Sequence, residues 1–236
     1  MQRSAVMMFS ALALTTGLVT SLTACKTMPP KAADVPPVLA AAVADSARPA
    51  ADAARDAHRK PAQVLAFAGI PSGAQIAELL PGEGYYTRLL SVVTGAGGHV
   101  YELIPPPGPD GKDHAAPIKA LAADARYSNV TVQPPLSYTA HAMGLPQPVD
   151  VVWTTDNYHD MHNALGRAGM QNFNKHIYEA LQPGGVFLVL DHGRGARPWR
   201  QRYAYLAPYR SGNRQGRGDR SRLPVRRQQQ CAAQSG

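Results

Sequence analysis

Three polar segments of this 236-residue chain hold residue types that can do chemistry, and each follows an apolar run. In the first, Glu78 precedes Leu79-Leu80-Pro81-Gly82-Glu83-Gly84, and a helix-patterned stretch begins at Tyr85. An acid ending a strand, a glycine turn and a helix start together suit a ligand. Glycine lets the backbone come close, and the free N–H groups of the first helical turn attract a carboxylate. Gly-x-Gly turns also occur as plain structure, so the strand–turn–helix context carries the functional reading. The second segment, Asp156-Asn157-Tyr158-His159-Asp160-Met161-His162, is the densest polar cluster. His159 or Tyr158 could act as a general base there, with Asp156 or Asn157 holding a ligand. His159, Asp160 and His162 are metal-ligand types, but three in one short loop lack a fourth, and no metal is expected. The same residues also suit a polar loop that bonds its own backbone, with Asp160 capping a turn. The third segment, Asp191-His192, either faces a substrate or simply ends a strand. The isolated His58, His99 and His176 read as surface or structural residues.

Alternating elements must position these segments. Residues 47–60 read as a polar helix, and Pro61 suits the first turn of a second helix stopped by Gly69. Residues 74–80 are strand-like, and Tyr85–Val93 has helical spacing of apolar residues. Strands follow at His99–Ile104, Val130–Val132, Val149–Trp153 and Val186–Leu190, and helices at 115–124 and 167–182. The continuous apolar run Val186–Leu190 suits a strand buried on both faces. Strands alternating with helices predict a parallel, doubly wound α/β sheet, in which ligands bind beyond the carboxyl ends of the strands. The three polar segments should therefore meet on one rim.

Residues 59–70 (RKPAQVLAFAGI), the turn after Glu78, and residues 97–105 (GGHVYELIP), 148–163 (PVDVVWTTDNYHDMHN) and 181–192 (LQPGGVFLVLDH) together resemble a known group. It is a family of small, often exported bacterial predicted methyltransferases with the class I, Rossmann-like fold. The resemblance covers residues 48–192. It implies S-adenosyl-L-methionine as cofactor, with Glu78, Pro81, Gly82 and Gly84 lining its site and Asp156 and Asn157 facing cofactor and acceptor. Methyl transfer then needs alignment of a nucleophile and sometimes a base, the role open to Tyr158 or His159. The sequence departs from the family's acid-x-Gly-x-Gly-x-Gly turn at Leu80, which stands at the first glycine position. A second acid usually ends the next strand and holds the ribose. Ile104 stands there, and Glu102, two residues earlier on the same face, is the remaining candidate.

The ends of the chain differ in character. Residues 1–25 read as a lipoprotein signal peptide: Arg3, an apolar run to about Val19, then Leu22-Thr23-Ala24-Cys25. Cys25 would carry the lipid and anchor the chain to a membrane. Lys26 follows it, so a periplasm-facing outer-membrane lipoprotein is expected; an ordinary signal peptide with an incidental cysteine is the alternative. Residues 26–46 read as a linker and 47–192 as the methyltransferase-like domain. Residues 193–236 hold 11 Arg, no Lys and one acid, so the net charge of +8 belongs to this tail. Nucleic acid is accordingly not an expected partner of the domain. The tail lacks hydrophobic periodicity and is expected to be disordered, and the sheet to lack its last strands, leaving Val186–Leu190 at an open edge. Shifting the reading frame by one base after about His192 recovers a helix, an Ala-Gly-Phe turn and a strand start, so a frameshift is expected. Two functions remain open: a transferase, or a non-catalytic envelope binding protein on the same fold.

Overall fold

The computed structural model describes residues 35–192 and the backbone of two later segments, 201–206 and 225–231. Residues 1–34, which include Cys25 and the stretch read as a signal peptide, and most of the tail lie outside the described residues.

Five parallel strands form the centre of the sheet. β1 (Gln75–Leu79) lies between β2 (His99–Leu103) and β4 (Val149–Thr155); β3 (Val130–Val132) flanks β2, and β5 (Leu181–His192) flanks β4. These are the strands that the apolar runs predict, displaced by a residue or two at some ends and extended at β5. Helices cover both faces. Before the sheet come α1 (Pro37–Ala44), α2 (Ala50–Ala53), α3 (Asp56–Arg59) and α4 (Pro61–Ala68); between strands lie α5 (Tyr85–Thr94), α6 (Ala116–Ala122) and α7 (Tyr158–Ala180). Ile76, Val100, Trp153 and Leu188 face one core with α1, α4 and α5. Leu79, Leu103, Val152 and Phe187 face the other, filled by Phe173 and Ile177 of α7. Side-chain alternation along each strand divides the apolar residues between the two layers.

Three differences from expectation have physical reasons. The stretch read as a linker contains α1, whose Leu39 and Ala42 are buried. Pro37 starts the helix, and its apolar residues dock on α4 and α5 instead of serving as a tether. Residues 47–60 make two single helical turns rather than one helix, and Arg48 turns inward to tie their ends: at 7% exposure it donates two hydrogen bonds to Asp56, at 2.8 and 2.9 Å. The cluster read as a loop is the first turns of α7, which begins at Tyr158 and kinks at Gly166 (φ 63°).

At the far edge, Gln201–Leu206 (β6) pairs antiparallel with β5, and Val225–Cys231 (β7) antiparallel with β6, where no strand was expected. The edge of β5 offers a row of backbone donors and acceptors, and pairing on it reads the backbone rather than side-chain pattern.

Candidate active site

The carboxyl ends of β1, β4 and β5 bring the three polar segments together. After β1 the chain turns through Leu80 (φ 52°), Gly82 (φ 62°) and Gly84 (φ 83°), all left-handed, and the Gly84 N–H closes the turn on Pro81 O at 3.1 Å. Leu80 keeps the glycine-like backbone despite its side chain, which costs about 1–2 kcal/mol. The two glycines face different surroundings. A Cβ on Gly82 would meet nothing within 4 Å, whereas one on Gly84 would lie 2.7 Å from Leu121 Cδ1 and 3.1 Å from Ile118 Cδ1. Gly82 thus leaves an open backbone face, and Gly84 lets α6 pack against the start of α5. Arg88 steadies the turn: its Nη1 donates to Glu83 O and Gly84 O at 2.9 Å each and pairs with Asp52 at 3.0 Å.

The segment after β4 is stitched to both neighbours. Asn157 Nδ2 donates to Leu80 O at 3.1 Å, the Asp156 N–H donates to Leu190 O at 2.7 Å, and Arg59 pairs with the Asp156 carboxylate at 3.3 Å. Asp156 and Asn157 therefore lie on the rim with the glycine turn. Arg59, Arg88 and Asp52 were not singled out from sequence, since single charges in a polar stretch carry no pattern. His159 is held by the end of β5: its backbone N–H donates to Asp191 Oδ2 at 2.9 Å, and its ring Nδ1 lies 2.8 Å from Asp191 Oδ1. Its Nε2 lies 3.2 Å from the exposed Asp160 carboxylate, so a carboxylate faces each ring nitrogen. An imidazole oriented by a carboxylate is the arrangement of a general base. Asp191, read as either substrate-facing or terminal, is thus the residue that orients His159.

Other expectations are corrected. Tyr158 does not share this arrangement: its hydroxyl pairs with Asn174 of α7, and burial pushes the phenol above its usual value, with Asn174 opposing. A half-buried phenol held that way is a poor base. His162 is exposed and joins no three-ligand cluster among the described residues. Glu102 does not reach the rim. It is the direct neighbour of Glu78 across β1 and β2, and the two are 0% and 1% exposed. Glu78 accepts a hydrogen bond from Thr87 Oγ1 at 2.8 Å, while both Glu102 oxygens and the nearby Trp153 Nε1 lack a hydrogen-bond partner. Burial raises the Glu78 carboxyl to about 7, against the opposing bond of Thr87. Burial, then the charge of Glu78, raises the Glu102 carboxyl well above its usual value. Both carboxyls thus favour the protonated form more than an exposed glutamate does.

These residues fit S-adenosyl-L-methionine in part. The open face at Gly82 and the N-terminus of α5 suit its amino-acid end. At the end of β2 the described residues offer the ribose no acid: Ile104 is 4% exposed and Glu102 is enclosed. A cleft of about 580 Å³ opens elsewhere, between α1 and α2–α4, lined by Val43, Arg48 and Asp56 among others.

Fold and site together define a doubly wound α/β protein with a glycine turn and a histidine–aspartate pair on its carboxyl rim. No family model matches the chain, and no curated protein matches it. Among solved structures it is similar to an S-adenosylmethionine-dependent methyltransferase from Aquifex aeolicus, at 19% identity over 61% of this chain and 72% of that one (TM-score 0.47). An arsenic(III) S-adenosylmethionine methyltransferase from Chlamydomonas reinhardtii is similar at 19% identity over 66% of this chain and 49% of its own length (TM-score 0.43). The glycopeptide N-methyltransferase MtfA, solved with S-adenosyl-L-methionine, is similar at 22% identity over 54% of this chain and 48% of that one (TM-score 0.41). The chain thus spans about half the length of the last two.

Proposed function

We propose that residues 47–192 form a class I methyltransferase domain that takes S-adenosyl-L-methionine at the turn after β1. The observation that supports this reading is the backbone of Leu80–Gly84, left-handed at three positions and open at Gly82, on the same rim as His159 and Asp191. The cofactor, when bound, supplies an electrophilic methyl group on a sulfonium. This chain's residues supply the rest. The glycine turn and the first N–H groups of α5 hold the amino-acid end. Asn157 ties that turn to the segment after β4, fixing the distance between the cofactor's turn and the base. His159 accepts a proton from an oxygen or nitrogen acceptor at Nε2, once Asp160 swings into solvent, and Asp191 stabilises the imidazolium that forms.

Calorimetric titration with S-adenosyl-L-methionine tests this directly. Saturable binding is expected, and Gly82→Val should remove it, because a β-branched residue closes the open face and resists φ 62°. Absence of binding heat in the wild-type chain would overturn the reading. A second reading, a binding protein that keeps the fold without transfer, is favoured by Ile104 standing where an acid would hold the ribose. Binding without formation of S-adenosylhomocysteine across an acceptor panel would select it.

The proposal extends to place and tail. Lipidation at Cys25 would face the domain to the periplasm; labelling with a fatty acid, lost in Cys25→Ser, is the expected result. A frameshift after about His192 accounts for the abrupt change in composition, and sequencing the gene tests it.

A further inference from the structure

A second group of ionisable side chains lies away from the rim, where α7 runs out into β5. His176 and Glu179 are three residues apart on the last turns of α7 and share one face. His141 reaches them from the 3₁₀ turn His141–Gly144 that precedes β4. His141 Nδ1 lies 2.7 Å and His176 Nδ1 3.3 Å from the same Glu179 oxygen, Oε2, and the three ligand atoms all lie within 4.8 Å of one another. The two rings stand at 83° with centroids 6.5 Å apart, so both Nδ1 atoms converge without stacking.

Hydrogen bonding alone accounts for part of this arrangement. Burial raises the Glu179 carboxyl, but bonds from His141 and His176, then the charge of Lys175, outweigh it and hold the group below its usual value. Four further features exceed what one hydrogen bond needs. The donor set is two imidazoles and a carboxylate, which suits a borderline divalent ion. In a tetrahedral zinc shell neighbouring ligand atoms sit roughly 3.3 Å apart, given metal–ligand lengths of about 2.0–2.1 Å. The pairs at 2.7 and 3.3 Å need only small adjustments to reach that, and His141, with 79% of its side chain exposed, is free to make them. Outer partners are close by. Asn172 Nδ2 lies 3.1 Å from His176 Nε2; with Nδ1 on an ion, Nε2 would carry the proton and the amide would turn over to accept it through Oδ1, while Lys175 approaches the other Glu179 oxygen, Oε1, at 3.5 Å, leaving Oε2 for the ion. Finally, the turn that presents His141 is backbone-strained: Ala142 (φ 48°) and Met143 (φ 57°) are left-handed without being glycine, each at a cost of about 1–2 kcal/mol.

We propose that His141, His176 and Glu179 form a zinc-class divalent cation site, closed by water, that clamps the turn before β4 onto α7. An ion there would bind the native arrangement and not the open chain, so it would stabilise the fold by mass action. It is independent of methyl transfer, since none of its ligands lies on the glycine turn or on the first turns of α7.

The test uses the full chain, freed of metal with a chelator. Zn²⁺ is titrated by calorimetry and Co²⁺ by visible absorption. One ion per chain is expected, with the ligand-field bands of a four-coordinate nitrogen–oxygen site. His141→Ala and Glu179→Gln should each weaken binding by about tenfold or more, and His162→Ala should leave it unchanged. Because the His141 side chain is mostly exposed, its alanine variant keeps the fold. Zn²⁺ should raise the melting temperature of the wild type and not of that variant. Lack of saturable binding, equal affinity in His141→Ala, or thiolate charge-transfer bands placing the ion on Cys25 or Cys231 would overturn the proposal.

Discussion

Replacing Glu78 and Glu102 by glutamine, singly and together, should change how stability depends on pH. Both carboxyls are buried side by side, and burial holds Glu78 at about 7, against an ordinary value of 4.5 in the open chain. Between those values the unfolded chain has released the proton and the folded chain has kept it. The folded state then binds more protons, so its stability falls as pH rises. The contribution is complete below pH 4.5 and lost on passing through 7. By pH 8 Glu78 alone removes roughly 3 kcal/mol relative to pH 4.5, a visible share of the roughly 5–15 kcal/mol typical of a domain. Glu102 acts in the same direction, since its carboxyl is also raised. His99 acts in the opposite one: burial lowers its imidazole, so its contribution grows as pH rises. A net fall therefore belongs to the carboxyls. Glutamine at 78 retains an acceptor for Thr87, which now donates at 2.8 Å. Urea unfolding followed by the fluorescence of buried Trp153, whose Cα is the register partner of Glu78, gives the readout. The wild type should lose stability from pH 4.5 to 8, Glu78→Gln less, and the double variant least. A wild-type profile that is flat, or as steep in the double variant, would refute the reasoning.

Other substitutions separate backbone from side-chain effects. Gly84→Ala combines φ 83° with a 2.7 Å approach to Leu121 and should cost about 1–3 kcal/mol in urea melts; Gly82→Ala meets open space and should cost only about 1 kcal/mol. Asp191→Ala removes the acceptor of both the His159 N–H and its ring, and should lower stability by about 1–3 kcal/mol, again by urea melt. Arg48→Met strands the Asp56 carboxylate, leaving Tyr85 as its hydrogen-bond donor, and should cost about 3 kcal/mol by the same measurement.

Much of the sheet could be read directly. Strand positions followed from short apolar runs, and the glycine turn from residue types that only a left-handed backbone calls for; neither depends on what lies far away in the chain. The meeting of the Gly82–Gly84 turn, Asp156 and Asp191 on one rim also followed, because parallel strands all end on the same side. Local pattern could not say which polar residues would be enclosed. Register sets Glu102 against Glu78 and the closed layers bury it, so its depth depends on packing. Tyr158 and His159 are adjacent in sequence and equally plausible as bases; their parting was decided by Asn174 on one side and Asp191 on the other, residues 16 and 32 positions away. The same holds for His141 and His176, unremarkable apart and joined only where the turn before β4 meets the end of α7. Periodicity and turn chemistry are short-range and written in neighbours, whereas burial, hydrogen-bond partners and proton affinity depend on contacts that exist only after the layers have closed.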